Sequence, residues 1–184
     1  MVETFLIDGE IATIRYLRFS DWPDMLSYMN SLNNEKKGFV FSRHKMDGKR
    51  ARKWVRGMLA EVEKKKGISL VVEIRGHVIG GSGVWKLRRN PSIGEFGIGL
   101  RHRMPHTRES LWGKGIGGKL LYAILREAKK VLKIRAVNLS AFVANYRAVA
   151  LYRRCGFKER YRLRREKLCH GVLRDRIYMR KRLR

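Results

Sequence analysis

At 184 residues, 44% of them hydrophobic and 32% charged, the chain has enough apolar material for one sizeable core and reads as a single domain over residues 1–184. No apolar run approaches the ~20 residues that span a bilayer. The start, Met1 to Asp8, has no basic region ahead of an apolar one, and Cys155 and Cys169 are too few for a disulfide framework, so a cytoplasmic protein without membrane contact is expected.

Charge is the outlying quantity, with 43 Lys plus Arg against 16 Asp plus Glu and a net +27. An excess of that size suits a polyanionic or acidic partner, through counterion release or attraction to acidic surfaces. A generally basic proteome would give the same figure, so charge alone leaves both open.

In chain order, Ile11 to Leu17 alternates as a strand, and Phe5-Leu6-Ile7 can pair with it through a turn at Asp8-Gly9-Glu10. Ser20 or Asp21 caps a helix that tolerates Pro23 in its first turn and turns Trp22, Met25, Leu26 and Met29 inward. A loop through Asn33-Asn34 leads to a second helix from about Lys49 to Lys66, with Trp54, Val55, Met58, Leu59 and Val62 on its apolar face. Ile68 to Ile74 and Val78 to Trp85 form a hairpin around Arg75-Gly76-His77. After a loop at Asn90-Pro91 comes the glycine-bearing strand Gly94 to Leu100.

Arg101 to Leu111 reads as a basic, irregular, solvated connection. It delivers the chain to Trp112-Gly113-Lys114-Gly115-Ile116-Gly117-Gly118-Lys119. The helix that follows buries Leu120, Leu121, Ile124, Leu125, Ala128 and Val131. Ala136 to Val143 is a strand, Asn145 caps a short helix from Tyr146 to Arg154, and Gly156 ends it. Two strands close the chain around a turn at His170-Gly171. In the first, Arg160, Arg162 and Arg164 share one parity and Tyr161 and Leu163 the other; in the second, Arg176, Arg180 and Arg182 oppose Ile177, Met179 and Leu183. Each strand is therefore expected to turn one face to the core and an arginine face outward. The order gives an α/β (α+β) fold, a mixed and largely antiparallel sheet of about seven strands with about four helices.

Four glycines in six residues, running straight into a helix, make a site for an anion: unpaired N–H groups and the positive end of the helix dipole face the ligand. Gly113-x-Gly115-x-x-Gly118 matches a dinucleotide fingerprint formally, but no strand runs directly into it. The strand after the helix also offers Asn138 and Ser140 where an acidic residue is needed. Gly113 to Lys119 is one residue short of a Walker A loop, since Leu120 stands where a magnesium-binding hydroxyl belongs, and no later strand supplies the metal-holding Asp. Both readings fail.

Gly113-Lys114-Gly115-Ile116-Gly117 before a Leu-rich helix resembles the pyrophosphate loop of the GNAT acetyltransferase superfamily. Asn145-Tyr146-Arg147-Ala148-Val149-Ala150-Leu151-Tyr152-Arg153-Arg154-Cys155-Gly156-Phe157 is similar to that superfamily's Asn-x-x-Ala-x-x-Leu-Tyr-x-x-x-Gly-Phe signature. The two motifs stand in the right order with a strand between them.

The resemblance implies the GNAT fold, and acetyl-CoA as cofactor with no metal. It implies a direct transfer of acetyl from thioester to a primary amine, a protein N-terminus or lysine first, with a small-molecule amine as the alternative acceptor. Cofactor contacts fall on Ile98, Gly99 and Leu100, along which the pantetheine arm lies, on Trp112, Gly113, Lys114, Gly115, Ile116, Gly117 and Gly118 at the pyrophosphate, and on Asn145 and Tyr152. Tyr152 corresponds to the family's general acid. Relatives acting on ribosomal proteins place Glu five residues before the motif Asn; here that residue is Ser140, a poor base, which leaves Glu95 as the best carboxylate, directly or through a water.

Trp112 also departs from the family's Arg or Gln, leaving the anion to backbone amides. Arg101, Arg103 and Arg108 could hold a 3′-phosphate or an acidic substrate, and His102 and His106 lack a third metal ligand. The expected partner is a protein acceptor in ribosomal, nucleic-acid-bound or otherwise acidic surroundings. The rival from another class is a non-enzymatic nucleic-acid or ribosome-binding protein on the same scaffold. A homodimer is allowed by the sequence and not required by it.

Overall fold

The computed structural model describes residues 2–33, 45–105, 107, 109–167 and 173–183. Asn34, His106, Arg108, Cys169 and the turn at His170-Gly171 lie outside the described residues. The remainder forms one sheet with four α-helices. In chain order these are β1 (Glu3–Ile7), β2 (Glu10–Tyr16), α1 (Trp22–Asn33), α2 (Gly48–Glu63), β3 (Gly67–Ile74), β4 (His77–Leu87), β5 (Asn90–Leu100), α3 (Ile116–Glu127), β6 (Ala136–Phe142), α4 (Tyr146–Arg154), β7 (Lys158–Lys167) and β8 (Leu173–Arg182). The eight strands are ordered β1-β2-β3-β4-β5-β6-β8-β7, all antiparallel except β5 with β6. The strand beyond the expected seven is β1, which pairs with β2 along its whole length.

α3 and α4 lie on one face. Leu120, Leu121, Ile124, Val149 and Tyr152 share the larger core with Leu70, Val72, Val84, Phe96, Val137, Leu139, Ile177 and Met179. α1 and α2 lie on the other, where Met25, Tyr28 and Val55 close over Leu17, Val71 and Val78. Asp47 caps α2 by accepting the Arg50 amide at 2.8 Å. After α3 a π-helical turn, Ala128–Leu132, adds a residue to the period. It buries Leu132 and leaves the expected Val131 only partly covered.

Asp21 has a larger task than the expected helix cap. A short 3₁₀ turn precedes α1, and the Asp21 carboxylate accepts both Arg15 Nη atoms at 2.8 Å and the Arg18 amide at 2.7 Å. Arg15 also donates to Glu73 through Nε at 2.8 Å and Nη2 at 2.6 Å. Asp21 foremost, with Glu73 behind it, holds the buried guanidinium's pKa above its already high value. This bidentate pair ties the β2–α1 connection to β3.

Opposed residues of paired strands share a face, so the register shows what the second face carries beyond α1 and α2. Gly67, Trp85, Glu95, Asn138, Arg180 and Lys158 form one continuous row across β3, β4, β5, β6, β8 and β7. Asn138, Ser140, Tyr178 and Arg180 on this side are half-buried, while Leu139, Ile177 and Met179 on the opposite side are buried. Among the described residues no helix covers this part of the sheet. The arginine parity expected for β8 is therefore present.

For β7 that expectation is wrong. The register shifts between Glu159 and Tyr161, leaving Arg160 as an extra residue, and shifts again between Leu163 and Glu166. A one-residue insertion reverses which side chains face the core. Tyr161 therefore stands opposite Tyr178, and Leu163 opposite Arg176, on the uncovered face. Tyr161 is 55% and Leu163 42% exposed, on an edge strand of the sheet.

Asp21→Asn removes one charge from a buried pair and leaves Arg15 half compensated. Chemical denaturation should show a loss of about 3 kcal/mol with an unchanged m-value; a loss within the error of a surface substitution would mean that the pair does not anchor the connection.

Candidate active site

The sheet opens along its parallel seam. β5 and β6 are paired only at Ile93–Ala136, Gly94–Val137 and Glu95–Asn138. Beyond Glu95, β5 continues against β4 alone as far as Leu100, and beyond Asn138 β6 continues against β8 alone as far as Phe142. The backbone of residues 96–100 thus has a strand on one side and a fork on the other. An extended chain with amide groups can enter there as an added strand.

The glycine loop follows the Arg101–Leu111 connection, and its Gly117 lies against the Leu100 side chain at the end of that strand. Gly113 and Gly115 have φ of +84° and +76°, which an L side chain adopts only with strain. Gly115 is the N-cap of α3 and supplies no side chain to satisfy the helix's first amides. Among the described residues, the N–H groups of residues 113–117 have no acceptor. Gly118, expected to contribute as well, already donates to Gly115 O at 3.0 Å. Free amides at the positive end of a helix fit a pyrophosphate without a metal. No group of three or more His, Cys, Asp and Glu is placed to hold a metal among the described residues.

Lys114 does not reach into this nest as a free cation. Its ammonium sits between Asp8 at 2.5 Å and Glu109 at 2.9 Å, and Asp8 foremost raises its pKa. Glu109 in turn lies 3.7 Å from Arg75, which pairs with Glu10 at 2.8 Å. The chain of charges ties the glycine loop to the β1–β2 and β3–β4 turns.

The connection from Arg101 to Leu111 is not the expected solvated loop. It doubles back on itself, with Leu111 N donating to His102 O at 2.8 Å and Met104 N to Glu109 O at 3.1 Å, and it buries Met104 and Leu111. Arg101 is only 6% exposed and donates to Val78 O and Asp24 O, and burial lowers its pKa. It is a structural residue and not available to a phosphate. Arg103 is exposed on the doubled segment, where it bridges to Ser110.

Trp112 lies in a stack with His102 and Arg147. The His102 ring is 4.1 Å from it and the Arg147 guanidinium stands 5.0 Å over it. A cation from the first turn of α4 is thereby brought beside the loop position where the family pattern has Arg or Gln. No spacing rule connects positions 112 and 147, so the pairing had no sequence signal.

α4 supplies the remaining groups. Asn145 caps it, accepting the Ala148 amide at 3.3 Å through Oδ1, as expected. Tyr152 is 7% exposed, and its ring packs edge-on against Phe96 at 6.1 Å and against Phe157 at 6.0 Å. Phe96 is the first β5 residue past the last rung of the seam, so Tyr152 stands under the fork. Its hydroxyl has no hydrogen-bond partner among the described residues, and burial pushes its pKa up to about 12. Glu95, at the last rung, projects from the opposite face and is exposed, with no ion-pair partner among the described residues. Beside it Asn138 Oδ1 accepts Arg180 Nε at 2.7 Å. Ser140 stands opposite Tyr178 on the same face as Glu95.

A parallel seam opened at mid-strand thus lies beside a helix start with unpaired amides and above a buried tyrosine, a frame that suits transfer of an acyl group carried on a phosphate-bearing arm. The chain belongs to the acetyltransferase (GNAT) family, whose domain model matches residues 12–158. No curated protein matches it. Among solved structures, it is similar to a ribosomal-protein-S5-alanine acetyltransferase from Vibrio fischeri, with a TM-score of 0.81, 14% identity and coverage of 98% of this chain and 96% of that one. It is also similar to RimL, a ribosomal L7/L12 alpha-N-protein acetyltransferase in complex with coenzyme A, at a TM-score of 0.80, 15% identity and 98% coverage of each chain. A third, the microcin C7 self immunity acetyltransferase MccE in complex with acetyl-CoA and AMP, gives 0.76 and 15%, covering 94% of this chain and 92% of that one. Identities this low carry the fold.

Gly115→Ala forces a Cβ into a left-handed residue at the loop's turning point. It should cost about 1–2 kcal/mol of stability and raise the acetyl-CoA KM in steady-state assays with a smaller effect on kcat; an unchanged KM would remove the loop from the binding site.

Proposed function

We propose that this chain acetylates a primary amine on a protein, an N-terminus or a lysine, using acetyl-CoA. The observation that carries the reading is the fork at Glu95 and Asn138, with a carboxylate on one face and a buried phenol on the other. Bound acetyl-CoA supplies an activated acyl group as a thioester. Residues 113–117 would hold its pyrophosphate through their amides, with Arg147 near Trp112 adding charge. The open edge of residues 96–100, with Ile98, Gly99 and Leu100 at its end, would bond the pantetheine arm. Asn145 has one role as helix cap and an amide nitrogen left for the same arm.

Glu95 takes the proton that the amine sheds as its nitrogen bonds to the acyl carbon, directly or through one water. Tyr152 gives its hydroxyl proton to the sulfur as the carbon–sulfur bond breaks. The two groups lie on opposite faces of one opening, which separates the amine's entry from the thiol's departure. Burial makes Tyr152 a weaker acid, yet it also ensures that the proton is present whenever the enzyme turns over.

The acceptor class rests on weaker support. Two neighbours act on ribosomal proteins by name, while MccE is a self-immunity enzyme, so this fold accommodates different acceptors. Net charge +27 favours an amine set in acidic surroundings over a free polycation.

Tyr152→Phe should lower kcat by about 10²-fold with little change in acetyl-CoA KM. An exposed tyrosine ionises near ~10; the folded-state value near 12 is higher, so the proton is bound more tightly in the folded chain. Wild-type kcat should therefore show no alkaline limb from this residue below about pH 11, while its contribution to stability declines from about pH 10 upward. Turnover of Tyr152→Phe equal to wild type would dismiss the acid. Glu95→Gln should depress kcat, and acetylated proteins identified by mass spectrometry after adding the enzyme to a cell extract would name the acceptor.

A further inference from the structure

We infer that the uncovered face of β6, β8 and β7 is a docking surface for single-stranded nucleic acid. On it, Tyr161 and Tyr178 are stacked, with ring centroids 4.4 Å apart and planes at 14°, and Tyr161 keeps 55% of its surface open. Next to the pair, Lys158, Arg160, Arg180 and Arg182 line a cavity of about 380 Å³ with Gly156. The bulge at Arg160 produces this combination, adding a cation to the cavity and turning Tyr161 outward in the same step.

Neighbouring cations are neutralised by carboxylates, and these four are not, among the described residues. Arg153 and Arg162 share Glu159, and Arg176 is paired with Glu166 at 2.9 Å while lying over Phe142. Lys158, Arg160, Arg180 and Arg182 have no carboxylate within ion-pair distance among the described residues, and Arg180 is fixed by its bond to Asn138. Four uncompensated cations beside an open aromatic plane suit a strand whose phosphates lie in the cavity and whose bases stack on Tyr161. An acidic peptide would satisfy the cations and leave the tyrosine face unused. A duplex hides its base faces and would also leave it unused. The register row leads from Lys158 through Arg180 and Asn138 to Glu95, so a bound strand lies on the acceptor side of the fork.

The test is fluorescence anisotropy of the full chain with a labelled single strand of about 10 nucleotides, as RNA and as DNA, against a duplex of the same sequence and a poly-glutamate peptide. The single strand should bind more tightly than the duplex or the peptide. Arg160→Ser with Arg182→Ser should weaken it by about tenfold and lower the salt slope by about 1.4. Tyr161→Ala, on an exposed edge, should weaken it by about tenfold and leave the salt slope unchanged. Equal affinity for duplex and single strand with both variants unaffected would reduce the effect to net charge, and stronger binding of the peptide would assign the face to an acidic protein; either overturns the inference. Oligonucleotide binding requires no acetyl-CoA, and acetylation of a short peptide by the same variants should be unchanged, so failure here is distinguishable from failure of the acetyltransferase reading.

Discussion

The proposed chemistry depends on one rung of backbone pairing, Glu95 with Asn138, the last before the parallel seam between β5 and β6 separates. Upstream of it β5 and β6 share hydrogen bonds and behave as neighbours in a sheet. Downstream each retains a partner on its far side only, β4 for one and β8 for the other. A soluble protein normally covers or pairs such an edge, because unpaired backbone groups inside a structure cost free energy. Here the open edge faces a fork floored by Phe96, Tyr152 and Phe157, a place where a ligand's amides can complete the sheet.

Much of the remaining structure keeps the fork in register with the glycine loop. Arg101 buries its guanidinium beneath β4 and α1, which fixes the exit of β5. The doubled segment after it returns the chain to Trp112, and the Asp8–Lys114–Glu109–Arg75–Glu10 chain ties the loop to two turns of the sheet. Single exposed ion pairs contribute little. Linked pairs on one loop restrict its position, and the free amides of residues 113–117 depend on that position.

The sequence carried the glycine loop's backbone and the cap of α4 better than it carried the sheet's far edge. Gly113 and Gly115 were legible because positive φ leaves few alternatives to glycine, and Asn145 because a cap has a fixed relation to the helix it starts. The inward sets of α3 and β8 followed from simple periods. β7 did not, since a bulge at Arg160 leaves no visible break in the pattern yet reverses the faces of Tyr161 to Leu163, until a second shift before Glu166 restores them. The burial of Arg101 was hidden for a similar reason: a charged residue in a basic stretch reads as solvated, and only the tertiary carbonyls of Asp24 and Val78 make its burial affordable. Arg147 over Trp112 is a contact between motifs, invisible to either motif alone.

Backbone amide hydrogen exchange, followed with and without acetyl-CoA and in the absence of divalent metal, tests the fork most directly. The account predicts slowed exchange at two separated places, the β5 edge over residues 97–100 and the loop over residues 113–117, with β1 and β7 unchanged. Protection confined to other strands, or no protection at either place at saturating acetyl-CoA, would contradict it.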